Sequence, residues 1–235
     1  MNTDLAVKMT IDNMDAFNYL PKLKALPQFS EELLNKYQHA ALFDLTDSID
    51  LLSYKIGKCF DINVVDIKQG LNRFSDEMQN KRFIDHGYYG ALIVLRWYYS
   101  LIQREDWNPA YFYFPIVDSA TAILLHNYYK YILMRHPYNL GLLDVRQHPL
   151  AYLLILADEI QDWNRPFYGA LDMSGGHPTG FEVNISKDKL EIIYEIQKNG
   201  RKDKYITDKQ NALCSVLQLD SVFKDGVVIN CKYDP

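Results

Sequence analysis

The sequence predicts a mainly α-helical protein that ends in a small ββαβ element, and three observations carry that expectation. Between residues 30 and 164 apolar side chains recur at helical spacing, broken by short polar or Pro-containing joints. From Pro166 to Gly180 the composition becomes that of a loop, with Pro166, Pro178, Gly169, Gly175, Gly176 and Gly180. Beyond residue 180 the apolar period drops to two. The expected organisation is a helical domain over 1–168 with its core at 80–168, a loop over 169–180, and an α+β element over 181–235.

Each element has its own signal. Residues 1–28, with Pro21 and Pro27, read as an irregular lead-in. Ser30 is a suitable N-cap, followed by Glu31 and Glu32, whose charges suit a helix N-terminus. Leu33, Leu34, Tyr37, Ala41, Leu45, Ile49, Leu52 and Ile56 then mark one long amphipathic helix. A weaker helical segment, 62–80, is expected to be interrupted at Gly70. The segments 81–104, 116–135 and 148–164 are apolar nearly all round, the pattern of helices buried on most faces. Phe181, Val183 and Ile185, a turn at 186–189, and Leu190, Ile192, Tyr194 and Ile196 make a β-hairpin. A helix capped by Thr207 and running to Phe223 leads through Asp225-Gly226 to a third strand carrying Val227, Ile229, Cys231 and Tyr233.

Composition narrows the function classes. The 235 residues are 48% hydrophobic and 23% charged, which excludes a disordered chain, a collagen-like repeat and a disulfide-stapled miniprotein. A net charge of -5 argues against a stable nucleic-acid partner, while leaving room for a small phosphorylated molecule held by a metal or a few Arg residues. Cys59, Cys214 and Cys231 are odd in number, lack metal-ligand spacing, and read as core residues in a reducing compartment. Residues 1–20 lack a signal-peptide pattern and no apolar run approaches the ~20 residues of a membrane span, so a cytoplasmic protein without a membrane partner is expected. Aromatics reach 14%, with 18 Tyr, which fits a thick core better than a half-wet cavity.

Three polar islands interrupt the apolar central helices. They are Arg82 with Asp85-His86, then His126-Asn127, then Asp158-Glu159. Each has a plain structural explanation: a helix start in water, a hydrogen-bonded core histidine, a helix emerging into solvent. Together they suggest a meeting point, because a buried imidazole or carboxylate is costly unless paired, hydrogen-bonded or bound to a metal. Two imidazoles and a carboxylate form a mixed N/O set suited to a divalent transition metal or Mg, and helical bundle cores can house such sites.

The order His86, His126-Asn127, Asp158, each on its own helix, resembles the HD-domain superfamily of metal-dependent phosphohydrolases, whose pattern is a His, a His-Asp doublet and a later Asp. The stretches RFIDHGYYGALIVL, SATAILLHNYY and HPLAYLLILADEIQDWNRP carry the resemblance over residues 80–168. It implies an HD-type helical bundle that hydrolyses a phosphate ester, expected to be a nucleotide or related small molecule. Carried over position by position, it makes His86, His126 and Asp158 ligands of one divalent metal ion (Mn, Fe, Mg, Ni, Co or Zn). Asn127 stands where the family has Asp and offers a neutral amide oxygen. Altering a group that merely orients a ligand costs ~10–100-fold in metal affinity. Losing the ligand charge is therefore expected to cost at least ~1.4–2.7 kcal/mol, leaving the metal weakly bound or absent.

If a metal is bound, the neighbouring residues acquire roles. Arg82 would neutralise phosphate charge, and Asp85 or Glu159 would orient water or act as general base. His148 would contact the leaving group or pack, and Tyr88, Tyr89, Tyr128 and Tyr129 would offer faces to a nucleobase. The alternative is a catalytically degenerate binding or regulatory module, motivated by Asn127 and by a C-terminal element able to offer an edge strand to a second copy or a protein partner. A third reading is a helical scaffold whose islands are buried hydrogen-bond networks. Gly175-Gly176-His177 reads as a turn, His39 and His136 as surface residues, and no Walker-type loop, G-x-S-x-G or G-x-G-x-x-G occurs.

Overall fold

Residues 48–104, 109–161, 178–196 and 202–233 are described by the computed structural model, and the chain divides into two compact units, residues 1–128 and 129–235. Among the described residues the structure is mainly helical with one three-stranded sheet. No helix among them is long and apolar enough to cross a membrane.

The first unit contains α1 (Ser48–Phe60), α2 (Val64–Lys81), α3 (His86–Arg104) and α4 (Pro109–Tyr128). The expected stripe on α1 is buried at Ile49, Leu52 and Ile56, with Phe60 continuing it one turn further, while the portion of that expected helix before Ser48 lies outside the described residues. Helix α2 begins where the Asn63 side chain accepts a hydrogen bond from the Val65 amide, a short-range cap. It buries Ile67, Leu71, Phe74 and Met78 at helical spacing. Gly70 does not interrupt it: the residue is buried within a continuous helix, so the absence of a side chain serves packing there. Phe74 meets Tyr88 and Tyr128 edge-on at centroid distances of 5.8 and 5.4 Å, tying α2 to α3 and α4.

Helix α3 starts at His86, later than the expected residue 81. Lys81 ends α2, and Arg82 closes it in the left-handed conformation, φ 52°, with its amide bonded to the Met78 carbonyl. Such a residue cannot also open the next helix. Asp85 does that, its Oδ1 accepting from the Tyr88 amide at 2.7 Å. Helix α4 ends at Tyr128, where the chain passes into a single π-turn over Tyr129–Leu133 instead of continuing as α-helix to Arg135.

The second unit contains that π-turn, α5 (Pro149–Ile160), β1 (Pro178–Ile185), β2 (Leu190–Ile196), α6 (Lys202–Cys214) and β3 (Val227–Tyr233). The expected end of the third apolar helix, 162–164, lies outside the described residues. Helix α5 is apolar nearly all round and buries Ala151, Tyr152, Ile155, Leu156 and Ile160, while Leu150 and Leu153 remain exposed.

The strand order is β1-β2-β3, with β1 antiparallel and β3 parallel to the central β2. The expected period of two is met on β2, where Leu190, Ile192, Tyr194 and Ile196 are all buried. Helix α6 supplies the crossover that a parallel β2–β3 pair requires. It starts earlier than Thr207, at Lys202, and stops at Cys214, well short of Phe223. The cause is a competing backbone pairing: Leu143 donates to Val216 O and accepts from the Gln218 amide, drawing the chain out of the helix.

Helix α5 belongs to the same unit as the sheet and is bonded to it directly. The buried Tyr194 hydroxyl donates to Ile160 O at 2.8 Å, and Lys209 Nζ donates to Glu159 O at 2.7 Å. Both satisfy carbonyls at the C-terminal end of α5 that have no partner within the helix.

Candidate functional site

Two of the three polar islands lie in the first unit, and the packing of α3 on α4 brings them together. Gly87 permits the approach. A Cβ at that position would lie 2.6 Å from the Ile123 carbonyl oxygen and 2.8 Å from His126 Cε1. The backbone of α3 therefore sits directly against the turn of α4 that carries His126.

His86 and His126, forty residues apart, face each other with their Nε2 atoms 2.8 Å apart and ring centroids 4.7 Å apart. His126 Nδ1 is bonded to the Ile123 carbonyl, which can only accept, so Nδ1 carries the proton. In the neutral ring this leaves a lone pair on His126 Nε2, aimed at His86. His86 Nε2 then supplies the proton between the two rings.

Beside them, Asn127 Nδ2 donates to Asp85 Oδ2 at 3.0 Å. Both oxygens of Asp85 are thus engaged, one by the start of α3 and the other by the residue after His126. The pair works as a clip that fixes the N-terminus of α3 to α4, and it sets the relative position of the two imidazoles. Residue types in sequence gave no hint of this bond, because an Asn and an Asp forty-two residues apart become partners only once the helices pack.

Arg82 is exposed and precedes the helix of His86 instead of lying on it, because it closes α2. Tyr89 and Tyr129, expected as nucleobase platforms, are 8% and 1% exposed and belong to the core. Burial pushes both hydroxyls up to about 12, and Tyr129 donates to Gly141 O at 3.0 Å. Tyr88 and Tyr128 are fully buried as well. These positions supply packing, the use that a Tyr-rich chain makes plausible from composition alone.

The third island lies in the second unit. Asp158 and Glu159 are half-buried on α5, and the Glu159 carboxylate pairs with Lys130 Nζ at 3.2 Å. His148 is buried and caps α5, its Nδ1 accepting from the Ala151 amide at 3.1 Å.

The donor chemistry at His86 and His126 fits a divalent cation in one respect. Two imidazole nitrogens on different helices converge, and the tautomer of one is fixed with its lone pair at the meeting point. Nitrogens sharing one tetrahedral zinc-sized ion stand about 3.3 Å apart, so the rings need to open only about half an ångström. Among the described residues, no group of three or more His, Cys, Asp and Glu side chains is placed to hold a metal ion. Compared with known protein families, with curated proteins and with solved structures, the chain gives no match.

Proposed function

We propose that this chain is an HD-type metal-dependent hydrolase of a phosphate ester, with a nucleotide or related small molecule as substrate. The observation that supports this reading is the convergence of His86 and His126 from separate helices, with His126 held in the tautomer that a metal ligand requires. His86 and His126 would hold the ion, with the Asn127 side-chain oxygen as a neutral donor beside them. Asp158 enters the reading through the resemblance alone.

A divalent ion bound there would polarise a phosphoryl oxygen and lower the pKa of bound water. The chain's own residues prepare for that chemistry. Asp85 and Asn127 hold the imidazoles in place, the Ile123 carbonyl orients the His126 ring, and the exposed Arg82 guanidinium would meet phosphate charge bidentately.

The same clip favours a second reading, a binding module that has lost catalysis. Asp85 spends both carboxylate oxygens on structural bonds, and Asn127 brings no charge. Elemental analysis of the protein purified without chelator, beside His126→Ala, tests the proposal first. Near-stoichiometric metal that disappears in the variant is the expected result. Protein that stays empty after incubation with Mn or Fe, and that cleaves no member of a phosphoester and nucleotide panel, would overturn it. Asn127→Asp separates the two readings: metal binding or hydrolysis that appears only in the variant marks the parent as degenerate.

A further inference from the structure

The hairpin of the second unit ends in an edge whose geometry is self-complementary. Val183 and Ile185 lie opposite Ile192 and Leu190 in the β1–β2 register and so share their face of the sheet. Ile192 and Leu190 are 0% and 1% exposed, whereas Val183 and Ile185 are 37% and 72% exposed. The apolar face of the sheet therefore runs out past what covers it, and it does so on β1.

The backbone of the same residues points outward. The turn is closed by the Ser186 amide donating to Lys189 O at 3.0 Å, which makes the adjacent Ile185–Leu190 couple a non-hydrogen-bonded pair. The Leu190 amide agrees, since it is given to Gly226 O on the β3 side. By alternation along the ladder, Val183 and Ile185 turn their N–H and C=O groups away from β2. Among the described residues no strand pairs with that edge.

Edges of soluble proteins are commonly protected by Lys, Pro, a bulge or a covering element. From Glu182 to Ile185 there is neither Lys nor Pro, and the register shift of β1 lies earlier, between Pro178 and Gly180. All four of these residues are exposed.

We infer that β1 is a homodimer edge, pairing antiparallel with β1 of a second copy about a two-fold axis at Asn184. In this register Val183 of each copy faces Ile185 of the other, and their outward N–H and C=O groups are exchanged. Asn184 faces its own counterpart, an amide that both donates and accepts. Glu182, the one charged residue of β1, faces Ser186 and never another carboxylate. A shift of the axis to lie between residues would set apolar against polar side chains, so such slips are disfavoured. The interface is isologous and closed, giving a dimer instead of a fibre. A single strand pair is smaller than the ~1,600 Å² of a standard stable interface, so the dimer is weak, with a dissociation constant on the order of micromolar or above.

Sedimentation analysis of the full chain, from about 1 to a few hundred micromolar, reads this directly. The parent is expected to pass from monomer to dimer over that range. Asn184→Lys sets two like charges face to face, and Ile185→Lys removes the apolar rung. Each is expected to weaken dimerisation by at least about tenfold. Both positions are exposed, and a circular dichroism melt matching the parent shows that each variant folds. Asn230→Lys, exposed on β3 at the far edge, is expected to dimerise like the parent. A parent that remains monomeric at the highest concentration, or a dimer insensitive to both β1 variants, overturns the inference.

Discussion

Gly87→Ala offers a test in which two effects of opposite sign are set against each other. In an exposed helix interior, replacing Gly by Ala gains ~1 kcal/mol, and less within the first turn, where Gly87 lies. Here the added methyl would sit 2.6 Å from the Ile123 carbonyl oxygen, and no real Cβ occupies such a position. That oxygen belongs to backbone within α4 and already accepts from His126 Nδ1, so it cannot rotate aside. Helix α3 must withdraw by roughly half an ångström to restore contact distance, and overpacking of this kind costs typically ~1–3 kcal/mol. The clash wins, and a net loss of ~1–2 kcal/mol is expected. Gly90→Ala is the internal control, because its Cβ would meet only the side-chain Ile123 Cγ2 at 3.0 Å, which can move. That variant is expected to lie within about 1 kcal/mol of the parent. Urea denaturation of the three proteins at equal slope gives the numbers. If Gly87→Ala proved as stable as Gly90→Ala, the close approach of α3 to α4 and the imidazole geometry built on it would be refuted.

Two further outcomes are expected in the second unit. Tyr194→Phe removes the buried hydroxyl that satisfies Ile160 O at the end of α5, so urea unfolding is expected to show a loss of ~1–3 kcal/mol; a loss below about 0.3 kcal/mol would mean that water reaches that carbonyl. The side-chain and backbone hydrogen bonds from Arg146 hold the Asp144 carboxyl down at about 2, from an ordinary 3.8. A depressed carboxyl contributes stability that is full above its unfolded value and lost as the pH falls from about 4 through about 2. In an NMR titration Arg146→Ala is expected to return the Asp144 midpoint toward its ordinary range, and an unmoved midpoint would assign the depression to another cause.

Much of the fold was legible because it rests on periodicity. Ile49, Leu52 and Ile56 on α1, and Leu190, Ile192, Tyr194 and Ile196 on β2, are buried as their spacing nominates, since one face of each element must leave water. Element ends were less legible because they are decided by bonds to distant residues. Cys214 ends α6 because Leu143 claims the backbone at Val216 and Gln218. His86 starts α3 because Arg82 takes a left-handed turn and Asp85 caps the next helix. Gly70 reads as a breaker in one dimension and is a packing residue in three. Val183 and Ile185 alternate as a buried face should, yet both are exposed, because alternation says which side a residue faces and nothing about whether a covering element extends that far.

The candidate site divides along the same line. That His86 and His126 are polar interruptions of apolar helices is visible in the sequence, and their meeting follows from helix packing that Gly87 makes close. The placement of charge beside them is not visible. A reader of the doublet sees Asn127 as a missing carboxylate, whereas the fold sets the carboxylate of Asp85 3.0 Å from the Asn127 amide. The neutral amide and the displaced carboxylate are therefore one feature. An Asp at 127 would face Asp85 across that 3.0 Å gap with no proton to share, and two like charges so close hold together only around a cation or by protonation. Asn127 lets the α3–α4 clip close as a hydrogen bond that needs no cation to hold it.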